Sequence, residues 1–261
     1  MRELERFALD NQVAIVAGGS GGIGLRICAA LGGVGARVTI IGRSTDKLAQ
    51  ARQAVESAGA KALVIAADMA SQADAERAVE QTMEQFGRVD VLVNAIGGGA
   101  GSALYPAESY PKAEWDRILD LNLTTTLLPS QAAARAMIAG GSGGSIVNIS
   151  SVRGQLGIDA GYSAYVAAKG AVDALTRQLA TEWAKYGIRV NAISPTFVRT
   201  PQAASLLADR EFYDRLVARI PLRRIADADD VVGAVLLFCS PASAFVTGQV
   251  LTLDGGLTAT Q

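Results

Sequence analysis

Tyr165 and Lys169 stand four apart in the run Tyr-Val-Ala-Ala-Lys, and Ser151 lies fourteen residues upstream at the end of an apolar run. On a helix, a spacing of four returns the second side chain to nearly the same face, so a phenol and an ammonium can point into one site. With a serine hydroxyl beside them, such a pair can hold a carbonyl oxygen and pass it a proton. A free tyrosine titrates near ~10, so acid/base work near neutral pH asks for about 4 kcal/mol of preferential phenolate stabilisation. Nearby positive charge supplies that stabilisation, and Lys169 is the cation this spacing offers.

Neighbouring residues compete for these roles. Tyr162 is followed at position 166 by valine, so it lacks a lysine partner and is read as pocket lining. Ser150 precedes Ser151, and strand alternation sends the two side chains apart, so one of them faces the site. Arg153 could pair with an acidic substrate, but its ordinary reading is a solvated surface arginine.

The elements that must position these groups follow a repeating order. Short β-branched runs at Val13 to Ala17, Arg37 to Ile41, Ala62 to Ala66, Val89 to Val93, Ser145 to Ile149, Arg189 to Ile193 and Gln249 to Leu253 alternate with alanine-rich helical segments. Such continuous apolar runs suit strands buried on both faces, and intervening helices make neighbouring strands parallel. The expectation is an α/β fold, a Rossmann-type doubly wound sheet of seven mainly parallel strands with helices on both faces, forming a single domain over residues 1–261. Right-handed crossovers then bring the strand-to-helix loops to one edge, where ligands bind. Two long helices are expected, Ala113 to Ala139 and Tyr162 to Tyr186.

The first strand leads into Ala17-Gly18-Gly19-Ser20-Gly21-Gly22-Ile23-Gly24 and then a helix over Leu25 to Leu31. Glycines there allow a tight turn and close approach of a pyrophosphate, and the helix N-terminus offers unpaired N–H groups. An acid/base group and a dinucleotide turn in one chain point to redox chemistry.

Composition removes other chemistries. The chain of 261 residues has no histidine, which excludes a Ser-His-Asp triad, a histidine base and a His-ligated zinc. Cys28 and Cys239 lie in apolar helical patterns and read as buried thiols, so no metal is expected. A net charge of −1 offers no broad cationic field, so neither nucleic acid nor an anionic membrane is an expected partner. The apolar run Val231 to Cys239 is far shorter than the ~20 residues that span a bilayer. The charged start, Met-Arg-Glu-Leu-Glu-Arg, has no signal-peptide character, and a cytoplasmic protein is expected.

Taken together, the glycine turn, Asp68 after the third strand, Asn94 after the fourth, and Asn122 in Trp-Asp-Arg-Ile-Leu-Asp-Leu-Asn-Leu form an ordered series. It continues through Ser150-Ser151, Tyr165 with Lys169, Asn191-Ala-Ile-Ser-Pro195 and Thr247-Gly-Gln-Val-Leu-Thr-Leu-Asp254-Gly-Gly. In this series the chain resembles the short-chain dehydrogenase/reductase family, in its shorter single-domain subgroup, over nearly its whole length. The resemblance implies a catalytic set of Ser151, Tyr165, Lys169 and Asn122, and selects Ser151 over Ser150. It implies that Lys169 also holds the nicotinamide ribose and that Asn122 holds a water linking Lys169 to solvent. It further implies a homotetramer, which the alanine-rich faces of the long helices could also serve. The chain departs from the family pattern at Ala17, where a threonine is usual, at Ile96 after Asn94-Ala95, and at Thr196 after Pro195.

For the cofactor, the expected contacts are Gly18, Ser20, Gly22, Ile23 and Gly24 at the turn, with Asp68 and Met69 flanking the adenine. Asn94 and Gly97 border the ribose side, and Pro195, Phe197, Val198 and Thr200 lie at the nicotinamide end. The second strand ends in Ile40-Ile41-Gly42-Arg43-Ser44, with no acid before Asp46. A carboxylate there would select NAD, whereas Arg43 and Ser44 can hold a 2′-phosphate, so NADP(H) is favoured over NAD(H).

The substrate is expected to be a small ketone or secondary alcohol. A 3-oxoacyl thioester, a cyclic or steroid-like ketone and a sugar or polyol all stay open. Its pocket should form from Gly97 to Ser102, from Val152 to Tyr162, and from a helical lid at about 196–221. Gln155, Leu156, Tyr162, Phe197, Leu206 and Leu207 are the expected lining. Two other readings stand beside this one: a dinucleotide-sensing regulator without chemistry, and an enoyl reductase, whose tyrosine and lysine generally stand farther apart.

Overall fold

A computed structural model describes residues 2–98 and 103–259. After a short α1 (Arg2–Glu5), strands β1 (Val13–Ala17), β2 (Arg37–Gly42), β3 (Ala62–Ala66) and β4 (Val91–Asn94) alternate with α2 (Gly22–Gly33), α3 (Thr45–Ser57) and α4 (Gln72–Phe86). The chain continues through α5 (Lys112–Leu119), a π-helical turn (Asp120–Thr124) and α6 (Thr125–Gly140) into β5 (Gly144–Ile149). Then come α7 (Ser163–Trp183), β6 (Ile188–Pro195), α8 (Ala204–Ala208), α9 (Arg210–Arg219), α10 (Ala228–Cys239) and β7 (Val250–Leu253).

All seven strands pair in parallel, in the order β3-β2-β1-β4-β5-β6-β7. Successive β1 residues supply opposite layers, which explains its uninterrupted apolar sequence. Ala14 and Val16 join Ile27, Leu31, Leu48, Val55, Val231 and Phe238 on the face covered by α2, α3 and α10. Ile15 and Ala17 join Ala78, Val79, Ala133, Met137 and Leu179 under α4, α6 and α7. A small separate cluster, Leu216, Ile220, Ile225 and Leu257, packs with Phe197, Leu207 and Phe212 between α8–α9 and the chain's end.

The chain order reverses between β1 and β4, and the crevice beyond their carboxyl ends is where such sheets bind ligands. Its two walls nearly touch: a Cβ on Gly18, whose φ is +83, would lie 2.9 Å from the carbonyl of Ala95.

Beyond shifts of one to three residues at the ends of other elements, two differ for identifiable reasons. β4 begins at Val91 because Asp90 turns its carboxylate to the Val13 amide at 2.9 Å and to Arg88 at 2.6 Å. The helix expected over Ala113 to Ala139 is interrupted at Asp120–Thr124, where the Asn122 amide donates to the Ile118 carbonyl at 2.9 Å. That side chain competes for a carbonyl a regular helix would use and accompanies a π register.

Candidate active site

The glycine turn is built for backbone proximity. A Cβ on Gly24 would collide with the Gly18 carbonyl, and one on Gly22 would come within 3.0 Å of Thr200. Gly21 caps α2 without a side-chain bond, so the helix's first N–H groups and its positive end are left for an anion. Ala17 costs the turn no anchorage, since Gly18 and Gly19 donate to the Ile41 carbonyl at 2.9 and 3.0 Å, and Ala95 donates to the Ala17 carbonyl at 2.8 Å. This turn fits a dinucleotide pyrophosphate, with Gly18, Ser20, Gly22, Ile23 and Gly24 all on it.

Ser151, Tyr165, Lys169 and Asn122 come together at the carboxyl ends of β4 and β5. Ser151, 8% exposed, lies beside the Tyr165 phenol and accepts from the Arg153 amide at 3.2 Å. Lys169 is buried, donates to the Ile149 carbonyl at 2.9 Å, and lies 5.8 Å from the Tyr165 ring centroid. Asn122 brackets Gly98, accepting from its N–H at 2.9 Å and donating to its carbonyl at 3.0 Å. Gly97 lies between these groups, for a Cβ there would be 2.9 Å from Asn122 Oδ1 and 3.0 Å from Lys169 Nζ.

The electrostatics differ from what the Tyr-x-x-x-Lys spacing predicts. Burial raises the Tyr165 pKa above its ordinary value, opposed by the Ser151 hydroxyl and then by the charge of Arg153. Lys169 is itself desolvated, its pKa brought down to about 8 by burial against the opposing pull of Asp173. Arg153 adds a positive charge near the phenol besides that of Lys169. Its reading as a solvated surface arginine is corrected: Arg153 is 9% exposed, because the Val152–Gly154 turn folds it back toward Tyr162 and Tyr165.

A buried polar chain holds the supporting elements in register. The Asn94 amide reaches Ser130 Oγ at 2.8 Å and Asn148 Oδ1 at 2.9 Å, and Asn148 donates to Thr176 Oγ1 at 2.9 Å. It thereby ties β4 and β5 to α6 and α7, which follow Asn122 and carry Tyr165. Sequence reasoning missed Asn148 and Thr176; an asparagine inside the apolar run Ser145 to Ile149 was the available signal. It also missed Asp173, one helical turn past Lys169, whose pKa is raised chiefly by burial.

The other expected cofactor contacts spread along the same edge. Arg43 and Ser44 are exposed at the end of β2, and Arg43 has no ion-pair partner among the described residues. Ser44 caps α3 through the Lys47 amide, and Gly42 abuts the Ser20 hydroxyl, joining this rim to the glycine turn. Asp68 is exposed, whereas Met69 and Asn94 are each 1% exposed with side chains turned inward, leaving Met69 only its main chain to offer a ligand. Pro195 ends β6, Val198 bridges to Ala226, and Thr200 packs on Gly22. The segment expected to serve as a lid folds as α8 and α9, and its start meets the site at Gln202, which lies against Gly98. Phe197 and Leu207 pack within the lid's own cluster. Gln155 is exposed and reaches Thr252 at 3.4 Å. Of the loop expected over Gly97 to Ser102, positions 99–102 lie outside the described residues.

Cys28 and Cys239 are buried free thiols, and burial raises both pKa values, that of Cys239 to about 12. Among the described residues no cluster of metal-ligating side chains occurs, and no helix is long and apolar enough to cross a membrane.

Comparison with known proteins agrees with this geometry. A family model described as enoyl-(acyl carrier protein) reductase matches residues 17–258. The chain is 37% identical over 261 residues to gluconate 5-dehydrogenase of Gluconobacter oxydans strain 621H, covering 99% of each. A short-chain type dehydrogenase/reductase from Mycobacterium marinum aligns over 100% of both chains at 32% identity, with a TM-score of 0.90. A gluconate 5-dehydrogenase from Burkholderia cenocepacia J2315, solved in complex with NADP and tartrate, aligns over 99% of both at 34% identity, with a TM-score of 0.91.

Proposed function

The chain belongs to the short-chain dehydrogenase/reductase family and is an NAD(P)-dependent oxidoreductase of CH–OH and C=O groups, and on that footing we propose that it uses NADP(H) with Tyr165 as its acid/base. The observation that carries the reading is the Tyr165 phenol set beside the Ser151 hydroxyl, with buried Lys169 behind its ring and Gly97 wedged between Lys169 and Asn122.

A dinucleotide held by the glycine turn at Gly18 to Gly24 would supply, in the direction of reduction, a hydride for the carbonyl carbon. Ser151 donates a hydrogen bond to the carbonyl oxygen and polarises it. Tyr165 gives that oxygen its proton, and the nearby positive charge of Arg153 favours the resulting phenolate. Lys169, held on the Ile149 carbonyl, carries a proton on a site whose pKa of about 8 suits exchange near neutral pH. Asn122 fixes Gly98 and with it the wall beside Lys169. Arg43, without an ion-pair partner among the described residues at the end of β2, favours a 2′-phosphate over a bare ribose hydroxyl.

The test is a panel of ketones, secondary alcohols and an enoyl thioester, each with NADPH and NADH, followed at the nicotinamide absorbance. Reversible ketone reduction preferring NADPH is expected. Turnover of the enoyl thioester alone would replace this reading with carbon–carbon double-bond reduction, and a preference for NADH of about tenfold or more, ~1.4 kcal/mol, would sink the Arg43 argument.

A further inference from the structure

Arg153 has surroundings unusual for a buried charge. It is 9% exposed, and its guanidinium makes one hydrogen bond, from Nη1 to the Gly157 carbonyl at 3.1 Å. No carboxylate pairs with it among the described residues. Its charge acts on the hydroxyls of Tyr162 and Tyr165, and the nearby charge it meets is another cation, Arg219, at the end of the lid helix α9. Arg219 likewise has no ion-pair partner among the described residues.

Buried charges are ordinarily paired, because desolvating an ion without a counter-charge is costly. A structural clamp on the Val152–Gly157 loop would need only a neutral donor to the Gly157 carbonyl. Asp173 makes no ion pair with Arg153, although the Asp173 Oδ1 is buried without a hydrogen-bond partner, and Asp254 accepts from the Gly256 and Thr258 amides at 2.9 and 2.7 Å. The glycine turn and Arg43, which suit the cofactor's phosphates, belong to the β1 and β2 ends of the sheet. Arg153 instead follows β5 and adjoins Tyr162, on the substrate side of Tyr165. We propose that Arg153, with Arg219 closing from the lid, binds a carboxylate on the substrate, so that the preferred ketones and alcohols are keto and hydroxy acids. A planar guanidinium matches a carboxylate with two parallel N–H···O bonds. Such a grip beside Tyr165 would orient the carbonyl as well as select the anion.

This inference rests on the ketone/alcohol reading of the site, and the experiment separates the two. Matched pairs differing only by carboxylate against CH2OH are compared with NADPH: 5-ketogluconate with L-sorbose, levulinate with 5-hydroxypentan-2-one, and acetoacetate with 4-hydroxybutan-2-one. For the wild type we expect the carboxylate member of at least one pair to be favoured by about 30-fold or more in kcat/KM, the size of one lost charged hydrogen-bond pair, mostly through KM. Arg153→Gln should bring that ratio to within about threefold, Arg153→Lys should keep part of it, and Arg219→Gln should weaken it less. NADPH binding, followed by fluorescence, reports whether each variant is folded. An active wild type that uses both members of every pair equally overturns the inference whatever the variants do, as does an Arg153→Gln protein that keeps the wild-type ratio between the two members. A wild type that reduces no ketone at all sinks instead the reading on which the inference rests.

Discussion

Lys169 is 3% exposed with its ammonium on a backbone carbonyl, and burial lowers its pKa from 10.5 to about 8. The unfolded chain therefore holds this proton more tightly than the native one. Between pH 8 and 10.5 the native lysine is already neutral while the unfolded one is charged, so this residue's contribution to stability rises with pH across that window. The span amounts to something on the order of 3 kcal/mol. Lys169→Met should accordingly gain on the wild type in melting temperature at pH 7 and lose that relative gain by pH 10.5; a difference independent of pH would place the lysine in water. The Tyr-x-x-x-Lys spacing was enough to pair these side chains, but not to reveal that burial opposes ionisation of both. That opposition depends on which strand ends and loops close over the helix, and no local pattern encodes it. Arg153 was misread for the same reason, since Val-Arg-Gly looks like surface until the turn folds back on Tyr165.

Elements were legible where their determinants are local. β1 and β3 have the predicted bounds, β1 as a short apolar run between Gln12 and Gly18 and β3 as one between Lys61 and Ala67-Asp68. The break between α5 and α6 was not legible, since it depends on Asn122 capturing a carbonyl while also bracketing Gly98. Two outcomes test this scale. Gly24→Ala drives a Cβ into the Gly18 carbonyl, so we expect a loss of about 1–3 kcal/mol in stability and NADPH binding weakened well beyond that of a surface alanine control, measured by thermal denaturation and fluorescence titration. At α10, Asp230 accepts the Asp227 amide at 2.8 Å and pairs with both Arg224 nitrogens, the second at 2.7 Å, which lowers its pKa to about 2. Asp230→Ala should cost about 1 kcal/mol at pH 7. Because the folded pKa lies below the ordinary 3.8, this contribution is present above that pH and fades as pH falls from 3.8 toward 2. Denaturant titrations of both proteins at pH 7 and pH 2 should converge at the lower pH.

At the scale of the molecule, the parallel sheet and its crevice followed from strands buried on both faces, and the family series fixed the order of the site along the chain. Assembly did not follow, because alanine-rich helix faces pack as well within a subunit as between subunits. Phe245 is fully exposed and Leu251 of the edge strand β7 is 39% exposed, apolar surface that a second copy could cover. With the resemblance, this supports a homotetramer of 27.0 kDa subunits, and light scattering should return four times that mass, whereas a single-subunit mass would remove the expectation. The central claim concerns chemistry, namely that the phenol of Tyr165 exchanges a proton with the substrate oxygen. It is tested most directly by kcat/KM for ketone reduction by Tyr165→Phe, in protein shown to bind NADPH as the wild type does. We expect a fall of about 100-fold or more, the usual contribution of a positioned general acid. Turnover undiminished by the loss of that one hydroxyl would contradict the account.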